Sequence, residues 1–493
     1  MRRQVQAPCS VDAPAAVSAT MKSTILLAGA VVACVVVASQ IGDAASWGGE
    51  GAVRTLVSTE VVRDILISAP EIATSFPPFG TILLATLGAA VLLASGLLDA
   101  VAAAVVSRLP GRYLSPLVFA LGLLAHQLSD ALIVVYLPFC ALMFSRHGRN
   151  PVVGLMLGFA SFSGALYAGF GPGLQELVLL SMTHAAATAL DPDAVFNAFA
   201  NWYFCIASAV LMTGAAWFVT DRLVEPRFPA STPPRPDMGV VEDGVDTRRG
   251  LLAAAWTTGA AVVVLVGLVA VPGVSPLLDT TASGMAQLTP AFKAGAALIM
   301  LSTTAVGSAY GLASGRWRGA QQVSDSFNSG LAALTPFLLM AVGIAFLIRL
   351  LQMSGLDTLA IRHLTSEVAT SNLSPGVLLS GLAAASAGLD FIVFSASAKW
   401  SVMAPLVVPA FQTVGIAPEL TTAAFRAGDA VVNILNPLQP AAVLTRLLIA
   451  RHDTRIDLGR FLGGMGLYSA ALAAIALTSI IVWSALGWPT GPS

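Results

Sequence analysis

The stretch "AAFRAGDAVVNILNPLQP", residues 423–440, decides how this chain folds, because it places two full charges inside a long apolar region. At helical spacing, Thr422, Arg426, Asp429 and Asn433 fall at i, i+4, i+7 and i+11, so they share one face of a single helix. The opposite face consists of Ala, Val, Ile and Leu. The pattern therefore predicts one helix with a polar stripe and an apolar back.

Prolines bound this helix. Pro418 suits its first position, and Pro437 and Pro440 end or kink the segment that follows. A charge in the middle of a bilayer costs about 2.5–3.5 kcal/mol, and ionisable groups there usually line a pathway. We expect Arg426 and Asp429 to offset part of that cost by pairing with each other. The alternative is an ion pair that only locks two helices together.

The amino-acid composition indicates whether the chain folds in water or in a lipid bilayer. The chain has 493 residues, 56% hydrophobic and 10% charged, and its mean hydropathy is +0.81. Soluble globular chains carry about 25% charged residues, whereas a bilayer span needs about 20 apolar residues. These values predict an all-α polytopic membrane protein in a lipid bilayer. The apolar stretches lie around 23–40, 78–106, 113–125, 152–190, 202–220, 251–271, 290–313, 331–351, 373–411, 419–448 and 462–487.

Several classes of function are disfavoured. The net charge of −1 gives no basis for a nucleic-acid partner. The four cysteines have no metal or disulfide spacing, so we expect no metal and no cofactor. The sequence has no HExxH, no GxSxG and no Walker lysine. We therefore expect a protein that is not an enzyme and that draws its energy from an ion gradient.

A hydrophilic linker divides the chain. Residues 220–250 are rich in Pro and hold five Arg, and basic loops face the cytoplasm. Arg2, Arg3 and Lys22 place the N-terminus on the same side; the start could be Met1 or Met21. We predict a cytoplasmic tail (1–22), a first membrane half with hairpin 1 (23–219), the linker (220–250) and a second membrane half with hairpin 2 and the main site (251–490).

The two halves resemble each other. Residues 126–172 and 395–437 each contain a Ser-bearing polar patch, an apolar run to a Pro, a turn, and a helix that starts at Pro and runs into a polar break. Transporters build re-entrant hairpins and broken helices at the midplane from such repeats. We therefore predict an internal inverted repeat with one re-entrant hairpin in each half.

Other polar residues interrupt apolar segments. In the second half these include Lys399, for which we favour a position at a hairpin tip that reaches water. Either Asp130 or Glu176 could carry a proton in the first half. Outside the opening stretch, the candidate site residues are His126, Gln127, Ser129, Asp130 and Glu176 in the first half, and Asp390, Ser395, Ser397, Lys399 and Trp400 in the second.

These motifs resemble one known family. "SASAKWSVMAPLVVP" followed by "PELTTAAFRAGDAVVNILNP" is similar to the C-terminal signature of the p-aminobenzoyl-glutamate transporter (AbgT) family. "NWYFCIASAVLMTGAAWFVTDRLVEPRF" and "SFPPFGTILLATLGAAVLLASGLLDA" resemble its central and early segments. The resemblance implies a homodimer in the inner membrane, with about nine transmembrane helices and two re-entrant hairpins per subunit. It also implies secondary transport: uptake of p-aminobenzoyl-glutamate or export of sulfonamide-type antimetabolites.

The resemblance also implies which residues form the site. Matched motif by motif, Ser397, Trp400, Pro418, Arg426, Asp429 and Pro437 correspond to positions that line the substrate path. Glu176 and Asp130 match two family acids. This chain departs from the family pattern twice, with Asp390 where Asn is frequent and Lys399 where Gln is frequent.

Together these features predict an ion-coupled transporter of small aromatic carboxylates. Arg426 would pair with the carboxylate, and Trp400 would stack on the ring. Either a proton or a sodium ion would be coupled. A short-chain fatty-acid or dicarboxylate carrier of related fold is the second hypothesis, and an intramembrane enzyme the third. The residues expected to handle the ion are Glu176, Asp429, Asp130, Asp390 and Asn433.

Overall fold

A computed structural model of the protein describes residues 13–49, 52–75, 77–171, 173–188, 190–191, 197, 199–229, 245–270, 275–279, 287, 289–359, 373–393 and 395–492. All regular structure in these residues is helical. The α-helices are α1 (Ala13–Ala44), α2 (Thr59–Ser75), α3 (Pro77–Ser95), α4 (Leu97–Val106), α5 (Leu114–Leu128), α6 (Ile133–Arg146), α7 (Pro151–Ser163), α8 (Leu174–Ala187), α9 (Trp202–Phe218), α10 (Thr247–Ala270), α11 (Thr289–Lys293), α12 (Gly295–Ala313), α13 (Gln321–Ser354), α14 (Pro375–Leu389), α15 (Ala396–Thr413), α16 (Pro418–Asn433), α17 (Pro440–His452) and α18 (Leu458–Leu486).

Helix length separates full spans from partial ones. Five helical segments of the described residues are long and apolar enough to cross a membrane: Trp202–Arg227, Thr247–Ala270, Gly295–Ala313, Phe337–Ser354 and Leu458–Leu486. By contrast, α7 and α14 have 13 and 15 residues. At 1.5 Å per residue they reach only about 20 Å, less than the bilayer core. The predicted all-α polytopic class is confirmed, and the count of nine spans and two hairpins stays a prediction.

Helices α3 and α4 form a sixth, broken segment. They meet at an angle of 68°, and Gly96 between them has a φ of 81°. Residues with a side chain rarely adopt this left-handed conformation. The Arg316 guanidinium also packs against Gly96, where a Cβ would lie 2.6 Å from its Nη1 atom. Gly96 therefore sets the sharp turn in this segment.

The order of helices repeats between the two halves. In the first, α5 leads through a break into α6, a four-residue loop, α7 from Pro151, a second break, and α8. In the second, α14 leads through a break into α15, a four-residue loop, α16 from Pro418, a second break, and α17. A long helix, α9 or α18, follows each unit. This order matches the predicted repeat, and its inversion stays a prediction.

Two helix ends fall inside the segments predicted as tail and linker. Helix α1 begins at Ala13, inside the tail predicted for 1–22, because that segment is rich in Ala, the strongest helix former. The α9 helix continues through a π-helical turn, Val219–Val224, to Arg227, inside the linker predicted for 220–250. The division of the chain into these segments stays a prediction. Residues 230–244 of the predicted linker and 1–12 of the tail lie outside the described residues.

Helix α16 occupies the centre of the fold. Thirteen of its 16 residues are buried, and it packs against α7, α8, α14, α15 and α18. The approach to α14 is closest at Gly428, where a Cβ would overlap the backbone of Ala383. Only glycine permits this backbone contact. Gly428 lies between Arg426 and Asp429 in the sequence, so this contact holds both charged residues at a fixed position relative to α14.

Candidate functional site

A large cavity opens beside α16, where broken helices from both halves end. Its volume is about 1300 Å³. The first break, the start of α8, the start of α15 and the middle of α16 all reach it, together with α12 and α13. Irregular backbone is tolerated at membrane depth where it lines such a cavity. The polar side chains on its wall include His126, Ser129, Asp130, Glu176, Ser395, Ser397 and Arg426.

Arg426 forms an ion pair with Glu176 of α8 at the wall of this cavity. Their side chains are 7% and 6% exposed. The Arg426 Nη2 atom also donates to the carbonyl oxygen of Leu166, in the break after α7. Glu176 accepts a hydrogen bond of 3.1 Å from Asn201 Nδ2. The two halves of the chain therefore share a single buried charge pair, Arg426–Glu176, which faces the cavity.

A second buried charge cluster lies deeper along the same face of α16. The Lys399 ammonium group is 2.8 Å from Asp390 Oδ1 and also pairs with Asp429. Exposure is 0% for Lys399, 1% for Asp390 and 7% for Asp429. Asn436 Nδ2 donates to the carbonyl oxygen of Asp390 at 2.9 Å. The lysine therefore bridges the break after α14 and the middle of α16.

Trp400 is fully buried beside α16 rather than exposed to the cavity. Its ring stacks on Phe425, with centroids 4.4 Å apart. Its Nε1 atom donates to Thr183 Oγ1 at 2.9 Å, and that hydroxyl is 2.6 Å from Thr422 Oγ1. These contacts tie α8, α15 and α16 together.

The polar stripe on α16 is confirmed as one helical face, and each member has its own partner. Asn433 accepts from Gln439 and donates to the carbonyl oxygen of Ser163 at 3.4 Å. Pro418 occupies the first turn of α16, and Pro437 lies in the break after it. Of the predicted site residues, the cavity wall holds Ser397, Arg426, Glu176 and Asp130; behind it or away from it lie Trp400, Asp429, Asp390, Asn433, Pro418 and Pro437.

Two sequence-based expectations are wrong. Arg426 and Asp429 do not pair with each other as their main partners, because Arg426 turns to Glu176 and Asp429 turns to Lys399. Lys399 does not reach water at a hairpin tip. It lies in the first turn of α15 and is buried there between two carboxylates. The choice of partner depends on which helix packs beside α16, and helical spacing alone does not contain that information.

Two further contributors to the site, Thr183 and Asn201, were not predicted from the sequence. Both are 2% exposed and orient site residues, Thr183 through Trp400 and Asn201 through Glu176. The available signal was modest: Thr183 stands beside His184 in a mostly apolar helix, and Asn201 directly precedes an apolar helix. Among the residues that the structure describes, no group of His, Cys, Asp and Glu has metal-site geometry.

Short helices that end around a charged cavity within a bundle of apolar helices are typical of a membrane transport protein of the broken-helix type. The comparison with known sequences names the family. The profile of the AbgT putative transporter family matches residues 9–493, and the chain belongs to this family. It is a multi-pass membrane transporter, as the C-terminal motif indicated.

Characterised relatives agree with this assignment. The chain is 26% identical over 447 residues to the p-aminobenzoyl-glutamate transport protein of Escherichia coli (strain K12), which covers 89% of this chain and 86% of the relative. The Alcanivorax borkumensis YdaH transporter, whose crystal structure has an unusual topology, shares 27% identity and a TM-score of 0.56 over 95% of this chain and 100% of its own. Neisseria gonorrhoeae MtrF, from a class of antimetabolite efflux pumps, shares 25% identity and a TM-score of 0.53 over 93% and 94%.

Proposed function

We propose that this transporter carries small aromatic carboxylates similar to p-aminobenzoyl-glutamate, with Arg426 binding the carboxylate and Glu176 carrying the coupled proton. The observation that supports this most is the position of Arg426, a buried guanidinium on the wall of a cavity of about 1300 Å³. A guanidinium matches a carboxylate with two parallel hydrogen bonds. The name of the Escherichia coli relative suggests the cargo.

Charge balance explains why a proton would accompany the cargo. Glu176 already neutralises Arg426, so a cargo carboxylate brings a second negative charge into a nearly dry site. Uncompensated buried charge is costly, and a carboxyl group avoids the cost by taking up a proton. Protonated Glu176 would release Arg426 to the cargo. Carboxylate and proton would then bind together and leave together.

The remaining predicted residues fit supporting roles in this proposal. Ser397 and Asp130 lie on the cavity wall, where they could bind polar groups of the cargo or pass a proton. Asp390, Asp429 and Asn433 lie behind the cavity wall. Pro418 and Pro437 bound the segment that carries Arg426. Sodium coupling is the alternative to proton coupling, and transport measured under imposed pH or sodium gradients separates the two.

Export is compatible with the same site. If a proton enters the vacated site from outside while cargo leaves, Glu176 and Arg426 perform exchange instead of joint uptake. The MtrF similarity motivates a test with sulfonamide-type antimetabolites as cargo. An outward proton-driven flux of a sulfonamide from loaded vesicles would support export, and equal efflux with and without a pH gradient would argue against it.

A second candidate is a carrier of non-aromatic acids, such as short-chain fatty acids or dicarboxylates. The burial of Trp400 favours it, because the indole ring stacks on Phe425 instead of facing the cavity. Under this alternative, Trp400→Ala changes the affinity for aromatic and aliphatic carboxylates by the same factor. A selective loss of aromatic cargo supports the first proposal.

The decisive measurement is transport by purified protein in proteoliposomes, with p-aminobenzoyl-glutamate and imposed pH or sodium gradients. Arg426→Ala removes the carboxylate partner and should lower both uptake and counterflow at least about 100-fold, the equivalent of roughly 3 kcal/mol. Arg455→Ala, at an exposed loop position, is the matched control and should transport normally. Normal uptake by folded Arg426→Ala would refute the assignment.

Glu176→Gln tests the proton role separately. The amide cannot take up a proton in this way, so we expect counterflow to continue while uptake driven by a pH gradient is lost. Loss of sodium-driven uptake instead would indicate the alternative ion. Turnover of cargo in detergent without any gradient would favour an intramembrane enzyme over a transporter mechanism.

The proposal extends to the oligomeric state of the protein, its membrane and its orientation in that membrane. We infer a homodimer in the inner membrane, as the resemblance to the family implies. The N-terminus and the 220–250 linker would face the cytoplasm, because the linker concentrates arginine. A cysteine introduced by Arg235→Cys should react with a membrane-impermeant thiol reagent only after the membrane is opened. Labelling of intact cells would reverse the orientation, and a monomer mass in native detergent micelles would contradict the dimer.

A further inference from the structure

The Lys399 ammonium group sits where a bound cation would sit. It contacts a carboxylate from each of two separate elements, Asp390 in the break after α14 and Asp429 on α16. Its exposure is 0%, so bulk solvent does not reach it. Lysine ends in a compact point charge on a flexible stem. In shape and charge, this end group resembles a monovalent cation held by protein oxygens.

Helix dipoles do not explain this arrangement. Asp390 directly follows the C-terminus of α14, and Lys399 lies in the first turn of α15. An acid at a helix C-terminus and a base at a helix N-terminus are each disfavoured by the helix dipole. The two residues are therefore stabilised by each other and by Asp429, and not by their positions on their own helices.

The oxygen atoms around the ammonium group suit a hard cation. Asp390 Oδ2 is buried and has no hydrogen-bond partner among the residues that the structure describes. The carboxamide of Asn436 orients Asp390 through its backbone carbonyl. Carboxylate and carbonyl oxygens are the ligands that hard cations prefer. Two carboxylates against one ammonium leave this cluster with a net charge of −1 when all three groups are ionised, so it needs its internal cation.

We propose that Asp390 and Asp429 form a monovalent-cation site, and that the Lys399 ammonium group occupies this site as a tethered ion in place of sodium. The wild-type protein accordingly needs no sodium at this position. Removal of the ammonium group opens the site to sodium or lithium from solution. A structural ion pair without a cation site would show no such gain.

Sodium binding to variants tests this directly. The probe is sodium chloride against choline chloride at equal ionic strength, and the readout is the thermal stability of the purified full-length protein in detergent. For Lys399→Gln we expect sodium to raise Tm by about 2–5 °C, because a ligand that binds only the folded state stabilises it. Wild type and Lys399→Arg keep the internal cation, so their Tm should be the same in both salts.

Two controls identify the site. Lys293→Gln removes a lysine on the cavity wall without emptying the cluster, and it should show no response to sodium. The triple variant Asp390→Asn, Lys399→Gln, Asp429→Asn removes both carboxylates, and the response of Lys399→Gln should disappear in it. A response that persists in the triple variant would place sodium elsewhere and overturn the proposal.

Other outcomes are equally informative. A folded Lys399→Gln variant with the same Tm in both salts, or a wild type that sodium stabilises, would overturn the proposal. Recovery of Lys399→Gln only when sodium is present during purification would support it. If this variant is lost in both salts, the double variant Asp390→Asn, Lys399→Gln decides, because it keeps one carboxylate without its counter-ion: a Tm that sodium raises supports the proposal, and equal Tm values in both salts overturn it.

The stability readout does not depend on the proposed cargo. If no aromatic carboxylate is transported, the function proposed above fails while a sodium response of Lys399→Gln still stands. If transport is confirmed and the response is missing, only the tethered cation is refuted.

Discussion

Two clusters of charged side chains lie in different environments in this protein, one partly exposed and one buried. The two clusters contain the same kinds of charged group. Around the loop before α7, Arg149 pairs with Asp221 at 2.6 Å and with Glu225 at 2.5 Å. Around α16, Lys399 pairs with Asp390 and Asp429. Each cluster has one cation and two carboxylates, so each carries a net charge of −1 when fully ionised.

Exposure distinguishes the two. Asp221 and Glu225 are 27% and 31% exposed, so water compensates part of their charge. Ser115 and Trp217 donate further hydrogen bonds to Asp221. Although burial alone would lower the pKa of the Arg149 guanidinium, the two carboxylates raise it above its ordinary value. This outer cluster is a satisfied structural junction between helices.

The inner cluster has no such solvent. With exposures of 0–7%, its surplus negative charge faces apolar packing and a neighbouring ion pair, Arg426–Glu176. The same number of positive and negative groups therefore has different consequences at different degrees of burial. At the surface it stabilises an element boundary, whereas in the interior it creates a demand for a proton or a cation.

The largest expected contrast is between removal of the two central cations. Lys399→Gln leaves two buried carboxylates without a counter-ion and should cost about 3–5 kcal/mol of stability in sodium-free buffer. Arg149→Gln leaves two carboxylates that water can reach and should cost only about 1 kcal/mol. Thermal unfolding in detergent compares them. Equal losses would show that depth does not separate the clusters.

The next contrast concerns the contact that positions the inner cluster. Gly428→Ala forces a Cβ into the backbone of Ala383 and should cost about 1–3 kcal/mol through overpacking, with loss of transport. Gly463→Ala on α18, where a Cβ meets nothing within 4 Å, is the control and should be neutral or slightly stabilising. An unchanged Tm for Gly428→Ala would contradict the packing seen here.

A smaller effect is expected from the two tryptophans that donate to these regions. Trp400→Phe removes a buried hydrogen bond to Thr183 and should cost about 1–2 kcal/mol. Trp217→Phe removes the bond to Asp221 at a position 37% exposed and should cost no more than about 0.5 kcal/mol. The Tm values of both variants, measured side by side, check the order, and its reversal would place Trp400 in a wetter environment.

Ionic strength should have the smallest effect. Raising salt from about 0.1 M to 1 M shortens the screening length from about 10 Å to 3 Å. The stability lost in Arg149→Gln should therefore shrink at high choline chloride, while the loss in Lys399→Gln stays the same because its carboxylates are buried. Choline is used because it is too large to take the place of the ammonium group. A parallel decline in both variants would show that diffuse screening reaches the inner cluster.

The sequence predicted more of the fold than of the site. Pro418 at a helix start and the i, i+4, i+7, i+11 spacing correctly predicted α16 and its polar face, because both signals are local. The family motif predicted the class of protein. Glu176 could not be matched to Arg426 from spacing, since the two residues are 250 positions apart. Their contact requires α8 and α16 to pack side by side.

Lys399 shows the other limit. A lysine beside Ser and Ala in a short helix start is typical of an exposed turn, and the burial preferences of lysine support that interpretation. The buried position becomes reasonable only when Asp390 and Asp429 converge on it from two elements. Tertiary charge compensation overrides residue preference here, and no single segment of the sequence contains all three groups.

The backbone contact between Gly428 and Ala383 also constrains motion. With no side chain between them, α14 and α16 cannot slide past each other without collision, so we expect the pair to swing as a single rigid lever. The hinges would then be the breaks at 390–393 and 434–439. Spin labels across the pair should keep a constant separation during the transport cycle while labels across either break change theirs. A variable distance within the pair would instead locate the hinge at this glycine.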